Sequence, residues 1–129
     1  MNQSGIPDAV KRFILLFIPS VPYLEALLIL RIQPERTWDA TDIAPKLYLN
    51  QATAQTLLDE LHKNGVLRVD DQVPDKFRYQ PKTPEMARII GELAEVYPNN
   101  LIEITHLIHA KLNKKAHKFA NAFIWGNEK

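Results

Sequence analysis

The chain has 129 residues, of which 46% are hydrophobic and 24% are charged, a composition that is ordinary for one globular domain. It contains no cysteine, which excludes disulfides and thiolate metal sites in this sequence. Its 16 basic and 15 acidic residues leave a net charge of +1, so any basic binding surface has to be a local one.

Targeting and membrane signals are weak in this sequence. The first residues carry no basic segment and no cleavage-site pattern. The longest apolar runs, Phe13–Ile18 and Ala26–Leu30, are far shorter than the roughly 20 residues that a membrane span needs. We therefore expect a cytoplasmic protein that makes no contact with a membrane.

Two apolar helices are predicted first. Residues Asp8–Ile18 place apolar side chains at helical spacing and are bounded by prolines. A second helix follows from about Val21 to Ile32, with Ser20 as its N-cap. Because this second helix is apolar on most of its faces, we predict that it is the central buried helix.

A third helix is predicted at about Ala40–Leu47. Asp39 has the position of an N-cap, Asp42 stands three residues later as an acidic N3 residue, and Trp38 and Ile43 have the positions of a hydrophobic staple. Pro45 lies near the sixth helical position, where proline removes one hydrogen bond. The helix is therefore expected to be kinked or to have only two regular turns.

A fourth helix and a hairpin come next. Asn50 is predicted to cap the helix Gln51–Asn64, and Gly65 is the residue type preferred just after a helix end. Val66–Val69 and Phe77–Gln80 are typical of short strands, and the polar segment between them has the length of a hairpin loop. The inner face of the fourth helix is predicted to consist of Ala54, Leu57, Leu58 and Leu61.

The remaining elements are helical. Thr83 and Pro84 begin a helix that extends to about Tyr97, and further helical stretches are predicted at about Leu101–Lys111 and Lys115–Trp125. Residues 1–129 are thus expected to form a single domain, with N-terminal helices in 8–32, a helix-turn-helix and hairpin in 38–80, and C-terminal helices in 83–125. The predicted fold class is mostly α with a small β-hairpin wing, a winged helix-turn-helix core with extra helices at both ends.

The segment WDATDIAPKLYLNQATAQTLLDELHKNGVL has the element order of a bacterial winged-helix regulator. Together with SVPYLEALLILR, FRYQPKTPE and IEITHLIHAKLNKKAHKFANAF, it resembles a family of small, uncharacterised bacterial winged helix-turn-helix proteins described as transcriptional regulators. The resemblance covers roughly Ser20–Phe123. It implies a DNA-binding transcriptional regulator with double-stranded DNA as its partner.

In winged helices the second helix of the pair enters the major groove with its N-terminal residues toward the base edges. Glutamine and asparagine can pair with adenine, and threonine can contact a phosphate or a thymine methyl group. The candidate residues for this contact are Asn50, Gln51, Thr53, Gln55 and Thr56. The candidates for phosphate contacts from the predicted wing are Arg68, Lys76 and Arg78.

The charge of this segment is unfavourable for binding DNA. Between Trp38 and Val66, Lys46 and Lys63 face four acidic residues, a balance of −2. Because neutralised phosphates supply most non-specific affinity, we expect weak binding by a monomer. The alternative is a protein–protein interaction module on a winged-helix scaffold that does not bind DNA.

The C-terminal segment suggests a homodimer. It combines basic residues with a bulky apolar stripe that a domain of this size does not easily bury alone. The basic residues are Lys111, Lys114, Lys115, His117 and Lys118, for which a solvated helix face is the simpler interpretation. The predicted dimer interface consists of Phe119, Phe123, Ile124 and Trp125.

Other functional classes find little support. Glu103, His106 and His109 follow one another at helical spacing, but a carboxylate metal site of this kind needs matching ligands from other helices, and we predict surface or interfacial histidines instead. We predict no metal and no cofactor. No nucleophile–base arrangement and no phosphate-binding glycine loop stands out, so no enzyme activity is predicted.

Four aromatic residues near the motif allow more than one interpretation. Trp38 and Tyr48 are candidates for lining a ligand pocket, but packing in the core and in the turn is the simpler explanation. Phe77 and Tyr79 lie on the second strand, where one is expected to point inward and the other outward.

Overall fold

The computed structural model describes residues 5–111. The predicted class, mostly helical with a small antiparallel hairpin, is confirmed for this part of the chain. A further helical segment covers residues 101–111. The elements in chain order are α1 (Asp8–Phe17), α2 (Val21–Ile32), α3 (Ala40–Leu47), α4 (Gln51–Lys63), β1 (Leu67–Val69), β2 (Phe77–Tyr79), α5 (Pro84–Val96) and a 3₁₀ turn (Tyr97–Asn99).

The helix starts follow the predicted capping residues. The Ser20 hydroxyl accepts a hydrogen bond from the Tyr23 backbone N–H at 3.3 Å, and the Thr83 hydroxyl accepts one from Met86 at 3.1 Å. At α3, Asp39 and Asp42 form the complete capping box. Each cap satisfies a backbone donor that the first turn of a helix leaves free, so the boundaries are set by local chemistry.

The core is organised around α2. Its side chains Tyr23, Leu24, Leu27 and Leu30 are fully buried, and the helix contacts α3, α4 and β2. The prediction of a central buried helix is therefore confirmed. The Tyr23 hydroxyl lies 2.8 Å from Asn64 Nδ2, so the one polar atom of this helix face has a partner at the end of α4.

The hairpin is a two-stranded antiparallel sheet with Arg68 opposite Arg78. Both strands are one residue shorter than predicted, although the Gln80 N–H still donates to the Val66 carbonyl at 3.0 Å. On the other side of β2, Trp38 forms an isolated antiparallel bridge with Phe77 through N–O distances of 2.7 and 2.8 Å. The residue just before the N-cap of α3 is thereby joined to the hairpin.

The prediction that one of Phe77 and Tyr79 points inward and the other outward is wrong. Phe77 is buried and Tyr79 is a half-buried residue packed against the same core. Residues two apart on a strand point to the same face, because side chains alternate with a period of two. Arg78, between them, points to the other face and toward Asp70.

The segment 101–111 is joined to α1 by its last residue. The Lys111 ammonium group donates to the carbonyl oxygens of Ile14, Leu15 and Ile18 at 3.2, 3.0 and 2.8 Å. The last carbonyls of a helix lack intrahelical donors and a cation is favourable there; the Ile14 carbonyl accepts from the Ile18 N–H at 3.0 Å as well as from Lys111. α1 also contacts α5, so the N-terminal helix and the elements after the hairpin form one layer on the core.

Replacing Leu58 by alanine is expected to lower the free energy of unfolding by about 2–5 kcal/mol, because Leu58 is fully buried on the inner face of α4 and its loss leaves a cavity. The measurement is urea unfolding followed by circular dichroism. Leu16→Ala is the matched control, since that side chain is 68% exposed and its loss should change the free energy by no more than about 0.5 kcal/mol. Equal effects of the two substitutions would contradict the assignment of the core.

Candidate nucleic-acid interface

α3 and α4 are joined by a three-residue turn, Tyr48 to Asn50. The Leu49 N–H donates to the Ala44 carbonyl at 3.0 Å, which closes the C-terminal end of α3. Asn50 then accepts a hydrogen bond from the Thr53 N–H at 2.8 Å and so caps α4. The two helices pack directly against each other. A short, closed turn therefore fixes the position of α4 relative to α3.

Pro45 lies inside α3, and the helix ends two residues later. A proline at this position cannot donate to the carbonyl one turn earlier, and of the two predicted alternatives, a kink or only two regular turns, the eight-residue helix agrees with the second. Tyr48 follows with φ 56° and ψ 42°, the left-handed conformation that glycine or asparagine adopts more easily. For a residue with a Cβ atom this conformation costs roughly 1–2 kcal/mol.

The expected packing of Tyr48 in the turn is wrong, because its side chain is 95% exposed. The left-handed backbone directs the side chain away from both helices. Trp38, by contrast, is 2% exposed and packs in the core as expected. The guanidinium group of Arg36 lies 3.6 Å from the centroid of the Trp38 ring and covers its outer face.

The candidate residues of α4 lie outside the core. Asn50, Gln51, Thr53 and Thr56 are exposed, and Gln55 is half-buried. This follows from the helical period, because Ala54, Leu57, Leu58 and Leu61 are buried at the spacing of one helix face. The first two turns of α4 thus present uncharged polar side chains to solvent.

Several of these side chains already hold a hydrogen bond. Gln51 Nε2 donates to the Thr41 hydroxyl at 3.1 Å, and Gln55 Nε2 donates to Asp59 at 3.0 Å. Exposed bonds of this kind contribute little net free energy, so exchanging them for a ligand costs little. Asn50 differs, because its side-chain oxygen caps the helix. Pairing Asn50 with a base through that oxygen would remove the cap.

The basic residues of the hairpin are paired with carboxylates. Arg68 and Arg78 face each other across the two strands, a like-charge pair that is unfavourable by itself. Arg78 forms a 2.7 Å ion pair with Asp70, and Arg68 lies 3.4 Å from Asp71. The acidic residues of the loop thus have a role within the fold, because they neutralise the two arginines.

Lys76, a predicted phosphate-contact residue, points toward α3. Its ammonium group lies 3.2 Å from Asp42 and 3.8 Å from Asp39, the two residues of the capping box. These contacts are at the N-terminal end of α3, where Thr41, the neighbour of Asp42, accepts the hydrogen bond from Gln51 of α4. Lys76 is therefore paired with the capping box of α3.

The charged residues of the helix pair are separated along the sequence. Between Ile43 and Leu58 the only formally charged residue is Lys46, which is exposed and has no carboxylate partner among residues 5–111. Asp59 and Glu60 come later on α4. We call the exposed residues around the turn the turn surface: Lys46, Tyr48, Asn50, Gln51 and Thr53. This surface also includes the positive end of the α4 helix dipole.

Two aspartates of this region have lowered pKa values. The hydrogen bond from Arg78 holds the pKa of Asp70 below its ordinary value, with further hydrogen bonds from the backbone of Val73 and Gln72. Partial burial acts to raise the pKa of Asp42, but the hydrogen bonds from the Asp39 backbone and from Lys76 outweigh it, so this pKa is also lowered. Both carboxylates therefore favour the folded state when ionised.

Two contacts of this region were missed by sequence reasoning. The bridge between Trp38 and Phe77 involves a single residue on one side and leaves no periodic pattern in the sequence. The pairing of Lys76 with α3 joins residues 34 positions apart. The only sequence signal for the Lys76 pairing was the pair of aspartates at the start of α3, whose carboxylate oxygens attract a cation.

Several predicted residues lie outside the described part of the chain. These are the proposed dimer-interface residues Phe119, Phe123, Ile124 and Trp125 and the basic residues Lys114, Lys115, His117 and Lys118. Within residues 5–111, no group of three or more histidine, aspartate or glutamate side chains is arranged to hold a metal ion.

The comparisons with known proteins give no relative: no family model, no curated protein and no solved structure matches this chain. In the described residues, none of the helices taken singly has both the length and the apolar character needed to cross a bilayer; α1 and α2 reach that limit only as a pair, with a bend of 113° between them.

Lowering the pH is expected to destabilise the protein through Asp70 and Asp42. Their contribution to stability is present above about pH 4, the ordinary pKa of aspartate, and is lost as the pH falls through their lowered folded-state values. Asp70→Asn should reduce stability at neutral pH and flatten the further loss at acid pH. The measurement is the thermal unfolding midpoint between about pH 7 and about pH 2.

Asp75→Asn is the matched control for this experiment. Asp75 belongs to the same loop, is exposed, and accepts no hydrogen bond from the described residues. Its substitution should leave the pH profile of the wild type unchanged. A profile for Asp70→Asn as steep as that of the wild type would show that the Arg78 contact does not stabilise the fold.

Proposed function

We propose that this chain is a winged helix-turn-helix protein that binds double-stranded DNA as a transcriptional regulator, with α4 as the recognition helix. The order of α2, α3, α4 and the hairpin supports this, as does the tight turn between α3 and α4. Trp38, just before α3, forms a β-bridge with Phe77 on the free edge of β2, so the proposed wing is joined to the helix pair.

The observation that carries the proposal is the chemistry of the first two turns of α4. They expose glutamine and threonine side chains, which can hydrogen-bond to base edges, and they expose no carboxylate. Acidic residues begin only at Asp59, about 12 Å further along the helix axis from Gln51, where the carboxylate accepts a hydrogen bond from Gln55 at 3.0 Å. A groove of DNA that receives the start of α4 therefore meets hydrogen-bonding groups and the positive end of the helix dipole.

The hairpin contributes little net charge to this proposed interface. From Val66 to Gln80, the basic Arg68, Lys76 and Arg78 are balanced by three aspartates. Any phosphate contact of Arg68 or Arg78 has to compete with its aspartate partner. Few phosphates are then neutralised by one copy of the chain, so affinity per copy is low. A homodimer that presents two copies of α4 to two half-sites raises it.

The direct experiment is binding of the full chain to a fluorescent duplex of mixed sequence, measured by anisotropy over a range of salt concentrations. We expect binding at about 50 mM salt that is lost as salt rises, because phosphate contacts release counterions. A chain that binds no duplex at any salt concentration is not a DNA-binding protein, and the proposal then fails.

Gln51→Ala is expected to weaken binding to a preferred sequence by about 1–3 kcal/mol, the contribution of a good bidentate base contact. The preferred sequence is first selected from a random duplex pool with the wild-type chain. Because Gln51 is exposed, its loss should leave the circular dichroism spectrum unchanged. Gln33→Ala, an exposed glutamine at the end of α2, is the control and should bind like the wild type. Unchanged affinity of Gln51→Ala would remove this residue from the interface.

A second candidate function is a protein–protein interaction module on the same scaffold. The observation that favours it is the pairing of each hairpin cation with a carboxylate, which leaves no unpaired arginine or lysine on β1 and β2 for phosphates. The salt titration separates the two functions, since a protein-binding module has no affinity for a duplex at low salt.

A further inference from the structure

Tyr48 combines two unfavourable features in one residue. Among residues 5–111 it is the only non-glycine residue with a positive φ. Its aromatic side chain is 95% exposed, so the ring is almost completely in water. Glycine or asparagine at this position would close α3 with less strain. The local structure therefore gives no reason for a tyrosine.

No internal contact compensates for the strain. The backbone of Tyr48 bonds to the end of α3, but its phenol has no hydrogen bond and its ring has no aromatic partner among the described residues. Strained residues that the surrounding packing does not explain are concentrated at sites of interaction. The side chain of Tyr48 is thus available to a partner.

The position of Tyr48 indicates the chemistry of that partner. It stands two residues before Asn50, the N-cap of α4, and two residues after Lys46, the only charged residue between Ile43 and Leu58. A phenol O–H, an ammonium group and the positive end of a helix dipole lie on the same turn surface. All three favour an anion with several oxygen atoms.

We propose that the Tyr48 phenol donates a hydrogen bond to a phosphate oxygen of duplex DNA, at the edge of the groove that α4 enters. This inference rests on the proposed DNA-binding function. Residues that precede a recognition helix lie at the rim of the groove, where the phosphates are, while the first residues of the helix face the bases. Tyr48 thus fixes the position of α4 on the duplex and carries no sequence preference.

Two substitutions separate the phenol from the backbone strain. Tyr48→Phe keeps the ring and the left-handed conformation and removes only the donor. Tyr48→Asn removes the ring and supplies a residue that tolerates the left-handed region. We expect both variants to raise the Kd for a mixed-sequence duplex at low salt about tenfold, since a hydrogen bond to a charged group is lost.

Stability gives an independent readout. Tyr48→Asn is expected to raise the thermal unfolding midpoint by roughly 3 °C, because it relieves backbone strain without losing a packing contact. Tyr48→Phe should unfold at the same temperature as the wild type. The control for the affinity measurement is Ile102→Asn, which removes a side chain that is 74% exposed on the segment 101–111 and should leave the Kd unchanged.

The outcomes are distinct. Loss of affinity in both tyrosine variants, with a raised midpoint for Tyr48→Asn, supports the inference. Wild-type affinity in either variant, or a lowered midpoint for Tyr48→Asn, overturns it while the DNA-binding function stands. A wild-type chain that binds no duplex overturns the proposed function and this inference together.

Discussion

The packing of α4 on α2 is the interaction on which the site depends. Leu57, Leu58 and Leu61 are buried on one face of α4, and α4 packs against α2, the helix that is apolar on most of its faces. Because a helix has 3.6 residues per turn, fixing this face also fixes which residues remain outside. Core packing therefore places Thr53, Gln55 and Thr56 on the outer side of α4, and no interaction made by these side chains is needed to hold them there.

Charge compensation is the second organising feature. The sequence places arginines at opposite positions of the two strands and aspartates in the loop between them, and folding brings them into contact. Asp70 also accepts hydrogen bonds from the loop backbone, so one side chain orders the loop and neutralises Arg78. The same pairing that stabilises the hairpin reduces the positive charge that it can offer to a polyanion.

The turn between α3 and α4 holds a residue that its backbone conformation does not favour, because the left-handed region prefers glycine or asparagine and Tyr48 occupies it. The helix caps and the buried helix faces follow the preferences of their residues, as expected for a sequence that specifies one structure. At Tyr48 a bulky side chain occupies a left-handed position and is exposed. Departures of this kind are expected at functional positions, where a contact outside the fold decides the residue type.

Most elements could be predicted from the sequence because their signals are local. Ser20, Asp39, Asn50 and Thr83 cap helices through atoms at most three residues away, so the sequence alone determined where these helices begin. The period of the apolar residues likewise determined the buried face of α4 and the exposure of its polar residues.

Only the tertiary structure decided how the charged and aromatic residues are used. Lys76 pairs with a capping box 34 residues earlier, and Lys111 binds carbonyl groups of α1 more than 90 residues away. The outward direction of Tyr48 was equally hidden, because it depends on a backbone angle that follows from how α3 ends. Ion pairs and side-chain directions depend on distances between elements, and such distances are fixed by packing that no local sequence pattern records.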